Sequence, residues 1–293
     1  MSAAPPDNDV LWARGIVKSH HGTPALRGIS LGIREGEVLA VTGPRGSGKS
    51  TLLGCLSALL PVDDGEVWFN SAPVHTLGRA GRERLRRDRF GFVGSEPHLV
   101  PELTARENVA LPLLLAGAGN KAAYTAADEW LERLDVGEVG RVRPDRLVQS
   151  QRQRIAVARA LAPLPPVVFA DDPTAPLHRE AADQVLRILT SAARSHQLTL
   201  VLATHDPELV RYADRSVALV DGRLAAPAAP VRRHTAGAPG VSGAVAAAAP
   251  GTAAPDAAAA GSASPGGGSP GTASPGTASP GAAGASAVSA TRR

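Results

Sequence analysis

Cysteine is almost missing from this sequence. Cys55 is the single one in 293 residues, so no intrachain disulfide can form. That suits a reducing compartment, and the apolar surroundings of Cys55 make it read as a buried, inert thiol. Lysine is nearly as scarce: only Lys18, Lys49 and Lys121 interrupt an otherwise all-arginine set of basic residues. Long apolar runs are lacking too. None approaches the roughly eighteen residues that span a bilayer, and the longest, 52–62 and 109–118, are broken by Pro or Gly. A membrane role would require another chain to supply the spanning part. The opening MSAAPPDND has no basic stretch followed by an apolar one, so no leader peptide is expected.

Large apolar side chains also run out near Pro227. From there to Arg293 the chain is almost entirely Ala, Pro, Gly, Ser and Thr, and SPGTASPGTASPG at 269–281 repeats every five residues. Such a segment buries too little to offset the entropy of ordering, so residues 227–293 are expected to be a disordered tail. Four tail arginines face one acid, Asp256, and supply most of the net charge of +4. The basic character is thus mainly a tail property and does not point to a nucleic-acid surface. Residues 1–226 suffice for one well-cored domain.

Within them, short apolar runs alternate with helical patterns. VLAVT (38–42), VVFA (167–170), LTLVLA (198–203) and 216–220 read as buried strands, with a further strand at 67–69. Residues 49–60, closed by Pro61, and 179–196 read as helices. This alternation predicts an α/β domain with a largely parallel sheet. The mostly helical stretch from about 103 to 161 reads as an inserted helical subdomain.

Between the first strand and the first helix lies GPRGSGKST, formed by Gly43, Pro44, Arg45, Gly46, Ser47, Gly48, Lys49, Ser50 and Thr51. It fits G-x-x-x-x-G-K-[ST] in the strand–helix setting that motif requires. The glycines let backbone N–H groups converge on one point, and the helix amino end adds its dipole. Lys49 supplies a mobile cation for phosphates, and the Ser50 hydroxyl suits Mg²⁺. A chance match in a chain this long has a probability of about one per cent. That one of only three lysines stands where a point charge is wanted strengthens the reading. Downstream, the strand 167–170 ends in Asp171-Asp172: Asp171 is placed to hold Mg²⁺, and Asp172 to orient or deprotonate an attacking water. His205 follows another strand end, at the sheet edge where ligands collect in such folds.

These motifs, in this order, resemble the ATP-binding-cassette (ABC) ATPases, with the likeness covering nearly all of 11–224. ALRGISLGIREGEVLAVTGPRGSGKSTLL resembles the family's N-terminal third, and QRQRIAVARAL (151–161) the helix after its signature sequence. FGFVGSEPHLVPELTARENVALPLLLAG (90–117) resembles the start of the helical subdomain in the lipoprotein-releasing and macrolide-exporter subgroup. The resemblance implies a P-loop NTPase core with a small β subdomain and the helical insertion. It also implies ATP and Mg²⁺ as ligands, and a head-to-tail homo- or heterodimer in which each ATP lies between one phosphate loop and the other signature. It further implies docking on a separate integral-membrane permease at the inner face of the cell membrane, and contact of His205 with the γ-phosphate. The adenine-stacking place falls at His20 or His21.

The chain departs from the family pattern in four places. The signature LSGGQ appears as Leu147, Val148, Gln149, Ser150 and Gln151, without the hydroxyl and without the glycines. Losing one transition-state hydrogen bond costs ~3 kcal/mol, about a hundredfold in rate. The Mg²⁺-sensing glutamine aligns with Ser95, which is too short to span that gap. The catalytic glutamate aligns with Asp172, one methylene shorter, which can cost on the order of a hundredfold. The aspartate of the loop that touches the opposite subunit aligns with His178. Residues that hold nucleotide are intact, whereas those that complete the partner's site or run the chemistry are altered. The expectation is an ATPase subunit with slow hydrolysis; the alternative is a binding module, the degenerate half of a heterodimer or a nucleotide-gated regulator. A DNA-repair ATPase finds no support, since no long heptad run is present. The arginines between 79 and 89 lack interleaved aromatics and read as a solvated helix face.

Overall fold

The computed structural model describes residues 9–225; the expected tail lies outside the described residues. The chain begins with a hairpin of two long strands, β1 (Asp9–His20) and β2 (Thr23–Arg34). The first strand of the main sheet, β3 (Val38–Thr42), leads into α1 (Lys49–Leu56). Next come β4 (Asp64–Phe69), β5 (Ala72–Pro73), α2 (Arg79–Arg89) and β6 (Phe90–Val93). Three helices follow: α3 (Ala105–Leu115), α4 (Asn120–Arg133) and α5 (Gln149–Leu161). The remainder is β7 (Val167–Asp171), α6 (Arg179–His196), β8 (Thr199–Thr204), a 3₁₀ turn at Pro207–Tyr212, β9 (Arg215–Val220) and β10 (Arg223–Leu224).

Two sheets result. The small one is antiparallel, in the order β2-β1-β4-β5; the main one runs β10-β9-β3-β8-β7-β6 and is parallel except for the edge strand β10. Strand periodicity explains why the main strands read as unbroken apolar runs. Val38, Val168, Ala170, Leu200 and Leu202 face the cluster built with α3–α6, while Leu39, Val41, Phe169, Val201 and Ala203 face the cluster shared with α1 and the small sheet. A parallel sheet covered on both faces demands apolar residues at every position. Three of the four phenylalanines pin the small sheet to the main one: Phe69 meets Phe90 edge-on at 5.0 Å, and Phe90 meets Phe169 at 5.3 Å. Such edge-to-face pairs add specific geometry to burial.

The helix expected over 49–60 ends at Leu56. The Ser57 N–H closes onto Leu53, Ala58 adopts φ 59°, and the chain turns four residues before Pro61. Residues 90–93, which precede the helical stretch expected from about 103, form a strand paired to β7. Helix α2 buries no residue, in keeping with a solvated face. Cys55 is buried, and desolvation pushes its thiol up to about 12, in keeping with an inert sulfur. No helix among the described residues is long and apolar enough to cross a membrane.

Candidate functional site

The register of the sheet gathers the sequence motifs. Thr42 pairs with Thr204, and Asp171 with Ala203, so the carboxyl ends of β3, β8 and β7 lie side by side. The phosphate loop, His205 and the paired acids therefore emerge at one edge.

The loop is shaped by its glycines. Gly43 (φ 151°) has its Cα so close to β9 that a Cβ would stand 2.1 Å from the Leu219 carbonyl oxygen. Gly48 (φ 102°) would place one 2.5 Å from the Ala25 carbonyl. No other residue fits either position. Lys49 is buried, and its ammonium donates to the carbonyls of Gly43 (3.0 Å) and Pro44 (2.9 Å). Ser47 is buried with its hydroxyl unpartnered, whereas Pro44, Arg45, Gly46 and Ser50 are exposed.

Asp171 ends β7 beside this loop. Burial pushes its carboxyl above the ordinary carboxylate range; the Ser50 hydroxyl, hydrogen-bonded to it, pulls it back, the charge of Asp172 adds to the rise, and Lys49 opposes it. Its Oδ1 is buried without a partner. An unpaired buried carboxylate oxygen is costly alone, and one next to a serine hydroxyl has the oxygen chemistry that Mg²⁺ selects. The residues present fit that ion.

Asp172 takes the left-handed conformation (φ 44°). Its Oδ1 accepts the backbone N–H of His205 at 3.2 Å and lies 3.0 Å from His205 Nδ1. A carboxylate that holds Nδ1–H leaves Nε2 as the ring atom facing outward. Both side chains line a cleft of about 420 Å³ with Arg45. His20 Nε2 lies 3.1 Å from Thr51 Oγ1, at the start of α1, whereas His21 occupies the exposed hairpin turn (φ 50°).

The remaining positions stand apart. Among the described residues, no hydrogen bond links 147–151 to the phosphate loop. Leu147 is buried, Val148 is the N-cap of α5 and 60% exposed, and Gln151 Oε1 accepts the Val148 N–H at 3.1 Å. Gln149 is exposed and Ser150 half-buried. Ser95 is exposed in the loop after β6. His178 is the N-cap of α6, its Nδ1 accepting the Ala181 N–H at 3.2 Å. Aspartate performs that capping better and adds charge at the positive helix end. His178→Asp is therefore expected to raise stability by about 0.5–1 kcal/mol, and His178→Ala to lower it by ~1 kcal/mol; thermal unfolding of the two variants checks both signs.

One residue was not singled out by the sequence. Gln153, fully buried in α5, donates from Nε2 to the carbonyls of Gly94 and Pro173, each at 2.8 Å. It lies within QRQRIAVARAL, but nothing in that motif says what its side chain touches; only tertiary burial reveals it.

Comparisons with known proteins show the family. The ABC transporter family matches residues 26–175. The lipoprotein-releasing system ATP-binding protein LolD 2 of Caulobacter vibrioides is 41% identical over 219 residues, covering 73% of this chain and 96% of that protein. The macrolide export ATP-binding/permease protein MacB of Marinobacter nauticus is 41% identical over 201 residues; these are 69% of this chain but 31% of MacB, so the chain spans about a third of that relative. Among solved structures, the ATP-binding cassette MJ0796, a dimer in a post-hydrolysis state bound to ADP and Pi, aligns with a TM-score of 0.70 and 32% identity over 73% of this chain and 96% of that one. The chain belongs to the ABC transporter ATP-binding family, in its lipoprotein-releasing and macrolide-exporter subgroup.

Proposed function

We propose that this chain is an ATPase subunit that turns over slowly, dimerises, and drives a separate membrane permease, in the direction of export, from the cytoplasmic face. The observation that carries the nucleotide reading is the cluster of Lys49, Ser50 and the unpartnered Asp171 Oδ1 at the mouth of a glycine-shaped loop. The loop N–H groups and Lys49 bind phosphates, and His20 lies against the base. Ser50 and Asp171 hold Mg²⁺, which shields the phosphate charge when bound. Asp172 has one oxygen committed to His205, and its other oxygen orients the attacking water. His205 presents Nε2 to the γ-phosphate. The subgroup relatives, named for lipoprotein release and macrolide export, support the outward direction.

A second reading, the degenerate half of a heterodimer or a nucleotide-gated regulator, is favoured by one observation. The amino end of α5 presents the exposed isopropyl group of Val148 instead of a hydroxyl.

Steady-state ATP turnover beside equilibrium Mg-ATP binding tests these readings, with Lys49→Ala as control. We expect binding that Lys49→Ala abolishes, with turnover below the ordinary range of about 1–100 s⁻¹. Turnover inside that range overturns slow hydrolysis; no binding at all overturns both readings.

A further inference from the structure

We infer that Gln153 couples the signature end of α5 to the two loops flanking the nucleotide site, so that a nucleotide in the phosphate loop is felt at residues 147–152. This rests on the reading that the phosphate loop binds nucleotide.

The geometry is unambiguous. Both partners of the Gln153 amide are carbonyls, so its nitrogen must face them. One carbonyl belongs to Pro173, which follows Asp172; the other belongs to Gly94, which precedes Ser95. A single side chain thus spans from the signature helix to the catalytic loop and to the loop after β6. Both bonds are short, and Gln153 has no exposed surface. A buried bond cannot be exchanged for one to water, and it weakens steeply beyond about 3.5 Å. If the Asp172–Pro173 segment shifts when a ligand meets Asp171 and Asp172, Gln153 must follow or leave two carbonyls unsatisfied.

The rest of α5 turns that shift toward the signature. Gln153 lies two residues beyond Gln151, which holds the Val148 N–H, and next to Arg152, whose Nε donates to the Leu147 carbonyl at 2.9 Å. Farther along, Arg159 donates to the carbonyls of His98 (2.8 Å) and Pro97 (2.9 Å), fastening the far part of the loop after β6 to the same helix. That loop is therefore tied to α5 twice, and only the tie at Gln153 continues to the catalytic loop. Ser95, exposed and short, offers no equivalent route. The Oε1 of Gln153 is buried without a partner, so these two are the hydrogen bonds that hold the amide. Gln153 is a positioning residue, since it does not touch the reacting atoms.

Hydrogen exchange of the full-length protein tests this, with Mg-ADP as the probe at a concentration where light scattering shows monomers. Direct contact between one chain's nucleotide and another chain's signature is then excluded. In the wild type, Mg-ADP is expected to slow exchange at 94–98 and 149–152 by about tenfold. Gln153→Met, close in volume but without donors, should bind Mg-ADP within about threefold of wild type yet lose the response at 149–152. Gln153→Asn, a methylene too short to span both carbonyls, should lose it likewise and serves if the methionine variant does not fold. The inference is overturned if either folded variant keeps the response, or if the wild type binds Mg-ADP without one. Failure to bind Mg-ADP would instead overturn the nucleotide reading on which it rests.

Discussion

Rebuilding the signature, by Val148→Ser with Gln149→Gly and Ser150→Gly, is expected to raise ATP turnover about a hundredfold or more. The three changes act at the amino end of α5, where backbone N–H groups and the helix dipole favour an anion. At present the end carries an apolar branch at Val148 and side chains at the next two positions, which would keep a phosphate from close approach to the backbone. Leu147 is left alone because it is buried, and Gln151 because it holds the Val148 N–H. The stability terms nearly cancel. Val148 is 60% exposed, so its loss removes little packing, and serine is a far better N-cap, by about 1 kcal/mol. Two glycines in the first helical turn cost about 0.5–1 kcal/mol each. A large rise in rate with a near-constant or slightly lower melting temperature would mark a gain in transition-state contacts rather than a repaired fold. A dimer whose turnover does not change would show that the signature is not what limits hydrolysis.

Asp171→Asn should move two measurements in opposite directions. The wild-type carboxyl is half-buried, and desolvation raises it above the ordinary range, so ionising it works against the folded state. In the window between its unfolded and its raised folded value, the folded chain binds more protons, and falling pH there favours folding. Asparagine never ionises, so the nucleotide-free variant is expected to be more stable than wild type at neutral pH. The same change removes the charged oxygen offered to Mg²⁺, which is worth several kcal/mol, so Mg²⁺-dependent ATP affinity should fall about a thousandfold. In the wild type, Mg-ATP binding should weaken on acidification, beginning at a higher pH than an ordinary carboxylate would give, because only the ionised form binds the metal. Thermal shifts with and without Mg-ATP across pH 4–8 (roughly the span of carboxylate titration and its raised tail) read all of this. An asparagine variant that keeps the full Mg-ATP-induced shift would remove Asp171 from the metal site.

The sequence was most legible where one requirement dominated. The main strands showed because burial on both faces forbids polar residues, and α6 was placed to the residue because Val185, Leu186, Leu189 and Ala193 keep strict helical spacing against the core. The long β1–β2 hairpin did not show. Its register shifts repeatedly, between Asp9 and Leu11 and again between Ala13 and Ile16, and each shift breaks the alternation that announces a strand. The phosphate loop and the strand-end acids were legible as motifs because phosphate and metal dictate residue types directly. The pairing of Asp172 with His205 joins residues 33 positions apart and needed the β7–β8 register to appear. The capping role of His178 and the bridge made by Gln153 were illegible for a related reason: each depends on which backbone groups happen to be nearby, and no residue type advertises that.

The close approach of Gly43 to the Leu219 carbonyl has a consequence for how the molecule comes into being. The phosphate loop is synthesised well before β9, yet one of its walls belongs to that strand, about 175 residues later, and the Gly222 N–H also closes onto the Ser47 carbonyl at 3.1 Å. Strand β3 itself sits between β8 and β9, both C-terminal. At about 5–20 residues per second, the ribosome needs roughly 10–35 s to supply those walls. Until then, the loop has a sequence but no shape, and such long-range pairing is intrinsically slow to form. The shape that the nucleotide reading requires is thus acquired only after β9 has followed, which ties the loop to the far side of its own sheet.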